Sequence, residues 1–126
     1  MTMAVLATQG CGSFNPIAQA NTVEQKAYAS YGSLVIVEEK VANFTAPTNA
    51  DVGRDVKLRV AEIAQSTQPL ADTLVDGFAV YEVERAKFVA DKTREPAFMV
   101  AVRNLDRWSS SLTEFVGRLL SAMGRR

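Results

Sequence analysis

The chain has no histidine and a single cysteine, Cys11, among its 126 residues. The first absence removes the commonest general base and the commonest metal ligand together. One thiol can form neither an internal disulfide nor a thiolate metal cluster, and a Cys–His nucleophile pair is excluded. Asp, Glu, Lys, Tyr and Ser remain, but they do not converge in any pattern suited to catalysis, so the chain reads as non-enzymatic and without a cofactor or metal. Charge of one sign is missing too: 14 basic residues cancel 14 acidic ones. No net field draws the protein to nucleic acid, and no nucleic-acid partner is expected. Long apolar runs are also absent. A membrane-spanning helix needs roughly 20 mostly apolar residues, and the run Leu34–Val37 stops at Glu38-Glu39.

What is present is an ordinary folding composition. Apolar residues make up 48% of the chain, too many for a disordered segment, and the length suits one domain with its own core. Helical periodicity dominates. Thr22-Val23-Glu24-Gln25 places a hydroxyl and a glutamine at capping-box spacing. Ala27, Tyr31, Leu34, Val37, Val41 and Phe44 then recur every three or four residues, which predicts a helix over 23–45. Ser33–Val37 is locally strand-like, but no other segment offers it a partner. Ala46–Ala50 is a turn, because Pro47 disfavours helical geometry at Ala46.

A second helix is predicted over about 51–67, capped by Thr48, Asn49 or Asp51, and a third over about 69–92, with Pro69 in its first turn. The sequence leaves open whether these are two helices or one bent rod. The last helix, about 94–123, follows the charged turn Asp91–Pro96. Its Phe98, Val102, Leu105, Leu112, Val116, Leu119 and Met123 keep near-heptad spacing, widened by Trp108, Phe115 and Leu120, and Gly124 suits the C-cap. The fold class expected is all-α, an antiparallel bundle of three to four helices occupying 22–124. Residues 12–21, rich in turn formers, read as a linker.

Cys11 is the candidate functional residue. Gly10 before it, and the Gly12-Ser13 and Asn15-Pro16 stretch after it, match a bacterial lipid-modification site, so 1–11 reads as a truncated signal and lipobox-like leader. The match is incomplete. The leader lacks a basic residue, and Thr8 stands three before the cysteine where leucine is usual. A start codon further upstream would account for this. The rival reading is an ordinary thiol in a frayed N-terminal segment. Acyl chains on Cys11 would anchor the domain, since each buried CH₂ contributes about 0.8 kcal/mol and two chains suffice.

Gly10-Cys11-Gly12, then Thr22-Val23-Glu24-Gln25-Lys26-Ala27-Tyr28, and the proline-bearing segment Val60–Asp72 together resemble small helical lipoproteins of bacterial genomes and prophages. The resemblance spans most of the chain through loose, helix-favouring patterns. It implies a membrane-anchored protein facing the periplasm, with an unnamed protein partner and no enzymatic activity.

Other conspicuous residues have simpler readings. Tyr28 and Tyr31 read as core tyrosines with hydroxyls at the rim rather than an aromatic platform, and Gly32 next to Tyr31 as a close helix crossing. Glu82, Glu84, Arg85, Lys87, Asp91 and Lys92 form a solvated face of i,i+3 and i,i+4 pairs, as do Arg103, Asp106 and Arg107. Ser109-Ser110-Ser111 is a polar break that either relieves packing at a crossing or marks a local bend, with Trp108 as a core anchor. Two functions follow: an envelope-tethered bundle acting through protein contacts, in which phage lysis, phage exclusion and scaffolding are not separable, or a cytosolic adaptor or virion component that oligomerises through an exposed stripe of the last helix.

Overall fold

A computed structural model describes residues 15–124. The domain is an up-down-up bundle of three helices, α1 (Pro16–Thr45), α2 (Arg54–Ala90) and α3 (Glu95–Met123), with a 3₁₀ turn at Lys92–Arg94. No strand occurs among the described residues, and Leu34–Val37 is helical.

The first helix starts seven residues earlier than its period suggests, so 16–21 is helix rather than linker. Asn15 is the cap: its side-chain oxygen accepts from the backbone N–H groups of Ile17 and Ala18 at 3.0 and 3.2 Å. Pro16 follows in the first turn, where a missing N–H costs nothing. Asn-Pro is a turn signal when read alone and a helix start when apolar residues follow in phase. Ile17, Ala20, Val23 and Ala27 do follow in phase, and Ala20 and Ala27 are fully buried. Thr22 is therefore not a cap; its hydroxyl donates back to the Ala18 carbonyl.

Pro47 ends α1 as expected, with Ala46 extended at φ −59°, ψ 140°. Lys57 and the Asn49 N–H donate to the Ala46 carbonyl at 2.8 and 3.0 Å, and the Asn49 side-chain amide donates to that of Phe44. The second helix starts at Arg54 behind Gly53 rather than near 51, and no side chain caps it. It then runs unbroken through Pro69, so the two helices predicted over 51–67 and 69–92 are one rod of 37 residues, about 55 Å long.

The proline is tolerated because it stands on the solvent side. Pro69 and Gln65, whose carbonyl loses its N–H partner, are both exposed, so water can reach the orphaned oxygen. Val60, Thr67, Ala71 and Leu74 keep one buried face on either side of the break. Tertiary burial outweighs the local defect.

Asp91 closes α2. Its N–H donates to the Lys87 and Phe88 carbonyls, and its carboxylate accepts from the Thr93 hydroxyl at 2.7 Å and the Thr93 N–H at 3.0 Å. Those bonds, the hydroxyl's first, hold the Asp91 carboxyl below its ordinary range. Pro96 then sits in the first turn of α3, as its position predicts.

The third helix is the spine. It packs extensively on both α1 and α2, which meet each other over a shorter stretch. Phe98, Val102, Leu105, Leu112, Val116 and Leu119 are all buried, and Phe98 stacks on Phe88 with centroids 4.9 Å apart. Leu120 departs from the predicted stripe and is exposed. The serine run lies at the α1–α3 contact. Ser109 is completely buried and its hydroxyl donates to the Leu105 carbonyl. Its own carbonyl accepts from Ser30 and Thr113, so small hydroxyls satisfy one another where the two backbones approach.

Candidate functional site

Cys11, the predicted lipidation residue, lies outside the described residues, as does the leader 1–11.

Two surface regions stand out. The first is a polar junction between the start of α1 and the end of α2. Arg85 donates to Asn21 Oδ1 at 2.8 Å and to the Tyr81 hydroxyl at 2.9 Å, and meets Glu24 at 3.4 Å. The reach of arginine makes this possible: its Nη1 lies between the two helices, donating to Asn21 and Tyr81 with the Glu24 carboxylate as a longer ionic neighbour. Tyr81 is 1% exposed as a residue. Burial, followed by the hydrogen bond to Glu24, pushes its phenol above the ordinary value of 10.0. These groups line a shallow depression of about 660 Å³. Arg85 is committed to partners on its own helix and on α1, so the cluster ties the two helices together.

This junction amends the reading of the charged run on α2 as a purely solvated face. Arg85 crosses to α1, and the half-buried Glu84 carboxylate sits between Lys87 at 3.6 Å and Arg94 at 3.7 Å. Asp106 likewise reaches another helix, pairing with Lys26 at 2.6 Å. Arg107 remains local, bonded to Asn104. Among the described residues no group of three or more acidic or cysteine side chains has the geometry to hold a metal ion.

The second region is apolar and exposed. Tyr28 and Tyr31 are not core residues: they are 55% and 38% exposed on the α1 surface. Tyr28 packs on Phe78 of α2, ring centroids 4.7 Å apart. Val35 and Ile36 extend this surface along α1, and Val75, Val80, Val83 and Val89 are exposed along α2. Sequence reasoning missed the α2 valines because the charged residues between them read as a fully solvated face. Their spacing was the available signal.

Gly32 is not a close crossing either. A Cβ there would meet nothing within 4 Å. The close approach occurs at Gly77, where an added Cβ would lie 2.5 Å from the Trp108 ring. Trp108 is half-buried and anchors α3 on α2 at that point.

No helix among the described residues is long and apolar enough to cross a membrane. Comparison with protein-family models, curated proteins and solved structures finds no match for this chain.

Proposed function

We propose that the chain is a non-enzymatic helical lipoprotein of the bacterial envelope, phage- or prophage-encoded. It is anchored by acyl chains on Cys11, faces the periplasm and acts through protein–protein contacts. The observation that supports action through protein contacts is the set of exposed apolar side chains on α1 and α2. Single exposed apolar residues are normal on soluble domains, whereas several recurring along one helix support an interaction surface. Here Tyr28, Tyr31 and Val35 lie along α1, and Val75 to Val89 along α2.

The position of Asn15 adds to it. The bundle begins four residues after Cys11, a span of at most about 14 Å when fully extended. A lipid on Cys11 would therefore hold the N-terminal end of α1 close to the membrane and leave the long sides of the bundle facing outward.

The soluble alternative, an adaptor or virion component pairing through its last helix, is weakened by the placement of that helix. The near-heptad residues of α3 are buried against α1 and α2, and its exposed large apolar side chains are Val100 and Leu120.

Fatty-acid labelling of the wild type beside Cys11→Ala, with membrane fractionation, tests the anchor. Label and membrane association in the wild type, both lost in the variant, support it. An unlabelled wild type in a bacterial host rules it out.

A further inference from the structure

The outer face of α2 between Val75 and Val89 carries an apolar row that no other described segment covers. Val75, Val80, Val83 and Val89 are each about half exposed, and Ala79 and Ala86 between them and Ala90 after them are exposed as well. Positions 79, 83, 86 and 90 follow the 4-3-4 spacing of a helix-packing seam. Val75, Glu82 and Val89 flank this seam on one side, Val80 and Lys87 on the other.

We propose that this face pairs with the same face of a second copy of the chain, the two α2 helices running parallel about a two-fold axis along their length. The charges select the copy and its direction. In a parallel pair, a residue flanking the seam on one side meets the residue five positions later on the other side of the partner. That register sets Glu82 against the partner's Lys87 and Val75 against the partner's Val80, and the symmetry repeats both contacts. Glu82 has no ion pair or hydrogen bond among the described residues, and Lys87 holds only a long 3.6 Å contact to Glu84. An antiparallel pair would set Glu82 beside a valine and leave both charges unmatched.

Asp72 and Asp76 continue the seam toward the start of α2 and would face their own copies, so the pairing stops at Val75. The remaining contact is about 21 Å long and smaller than the ~800 Å² per partner of a stable interface. The dimer is therefore weak in free solution. This inference rests on the tether proposed above for its strength in the cell. Two chains anchored in one membrane have their N-termini at the same end, as only the parallel pair allows, and confinement raises their effective concentration.

The test uses the full-length chain carrying Cys11→Ala, which has no other cysteine. Sedimentation should show a concentration-dependent dimer. Val83→Cys in this background should give a disulfide-linked dimer on mild oxidation, and Ala29→Cys on α1 should not. Glu82→Lys or Lys87→Glu alone should weaken the dimer roughly tenfold, the scale of two exposed pairs reversed in sign, and the double exchange should restore it. A monomer up to millimolar concentration overturns the proposal. So does a double exchange as weak as its parents, or Val83→Cys that links only to chains carrying Ala86→Cys. Fatty-acid labelling of the wild type is scored separately: a dimer without label removes the tether and leaves the pairing, and label without a dimer does the reverse.

Discussion

Substituting alanine for glycine at two helical sites should move stability in opposite directions. In a helix interior, alanine is favoured over glycine by about 1 kcal/mol because it has less backbone freedom to lose. At Gly32 nothing lies within 4 Å of the new methyl, so Gly32→Ala should gain about that amount, raising Tm by about 4 °C for a domain of this size. At Gly77 the same methyl would lie 2.5 Å from Cε3 and Cζ3 of Trp108 and 3.7 Å from Leu105. Leu105 beside the same methyl is fully buried and Trp108 only half-buried, so the ring can yield only outward, at the cost of its packing. Overpacking of this kind costs about 1–3 kcal/mol, which outweighs the propensity gain, so Gly77→Ala should lose about 1 kcal/mol net and Gly77→Val more. Urea titration measures both changes. Trp108 is the only tryptophan, so its emission reports on the contact directly and should shift red in Gly77→Ala as the ring is displaced toward water. A Gly77→Ala variant as stable as Gly32→Ala, with unchanged emission, would refute the close approach of α2 and α3.

Three further outcomes follow from the geometry. Pro69→Ala should raise the urea midpoint by the equivalent of about 1 kcal/mol or more, because it restores the hydrogen bond to the Gln65 carbonyl in an already continuous helix; a midpoint that falls would mean that the break is needed for packing. Asn15→Ala should cost about 1 kcal/mol and speed amide exchange in the first turn of α1, and unchanged exchange there would remove Asn15 as the cap. Tyr81→Phe loses the bond from Arg85, about 1 kcal/mol at neutral pH. Its deficit relative to the wild type should be constant below pH 10 and shrink above it. The raised phenol pKa makes the neutral tyrosine's contribution fully present below 10.0 and lost as pH rises through the folded-state value; parallel stability curves for the two proteins above pH 10 would contradict the assigned environment.

The helical class and the buried positions of α3 follow from the sequence alone, because near-heptad spacing over a long segment leaves one face apolar wherever that segment packs. Pro47 and Pro96 were legible for a related reason: proline acts on its own backbone and its neighbour's, and needs no distant contact. Whether Pro69 divides a helix was not legible. A local cost of a few kcal/mol competes there with burial on both sides, and only the position of α3 says which is larger. Asn15-Pro16 has the same ambiguity, resolved by a core that receives Ile17 and Ala20.

The two glycines and the exposed side chains were decided entirely by the tertiary structure. Gly32 and Gly77 have the same intrinsic backbone freedom, and a closely packed partner exists only at the second. Tyr28, Tyr31 and the α2 valines have the composition of core residues but lie outside, because α1 and α2 each bury one face against α3 and each other, and these side chains lie off that face. Sequence settles which side chains avoid water; the arrangement of the three helices settles which of them find room to do so.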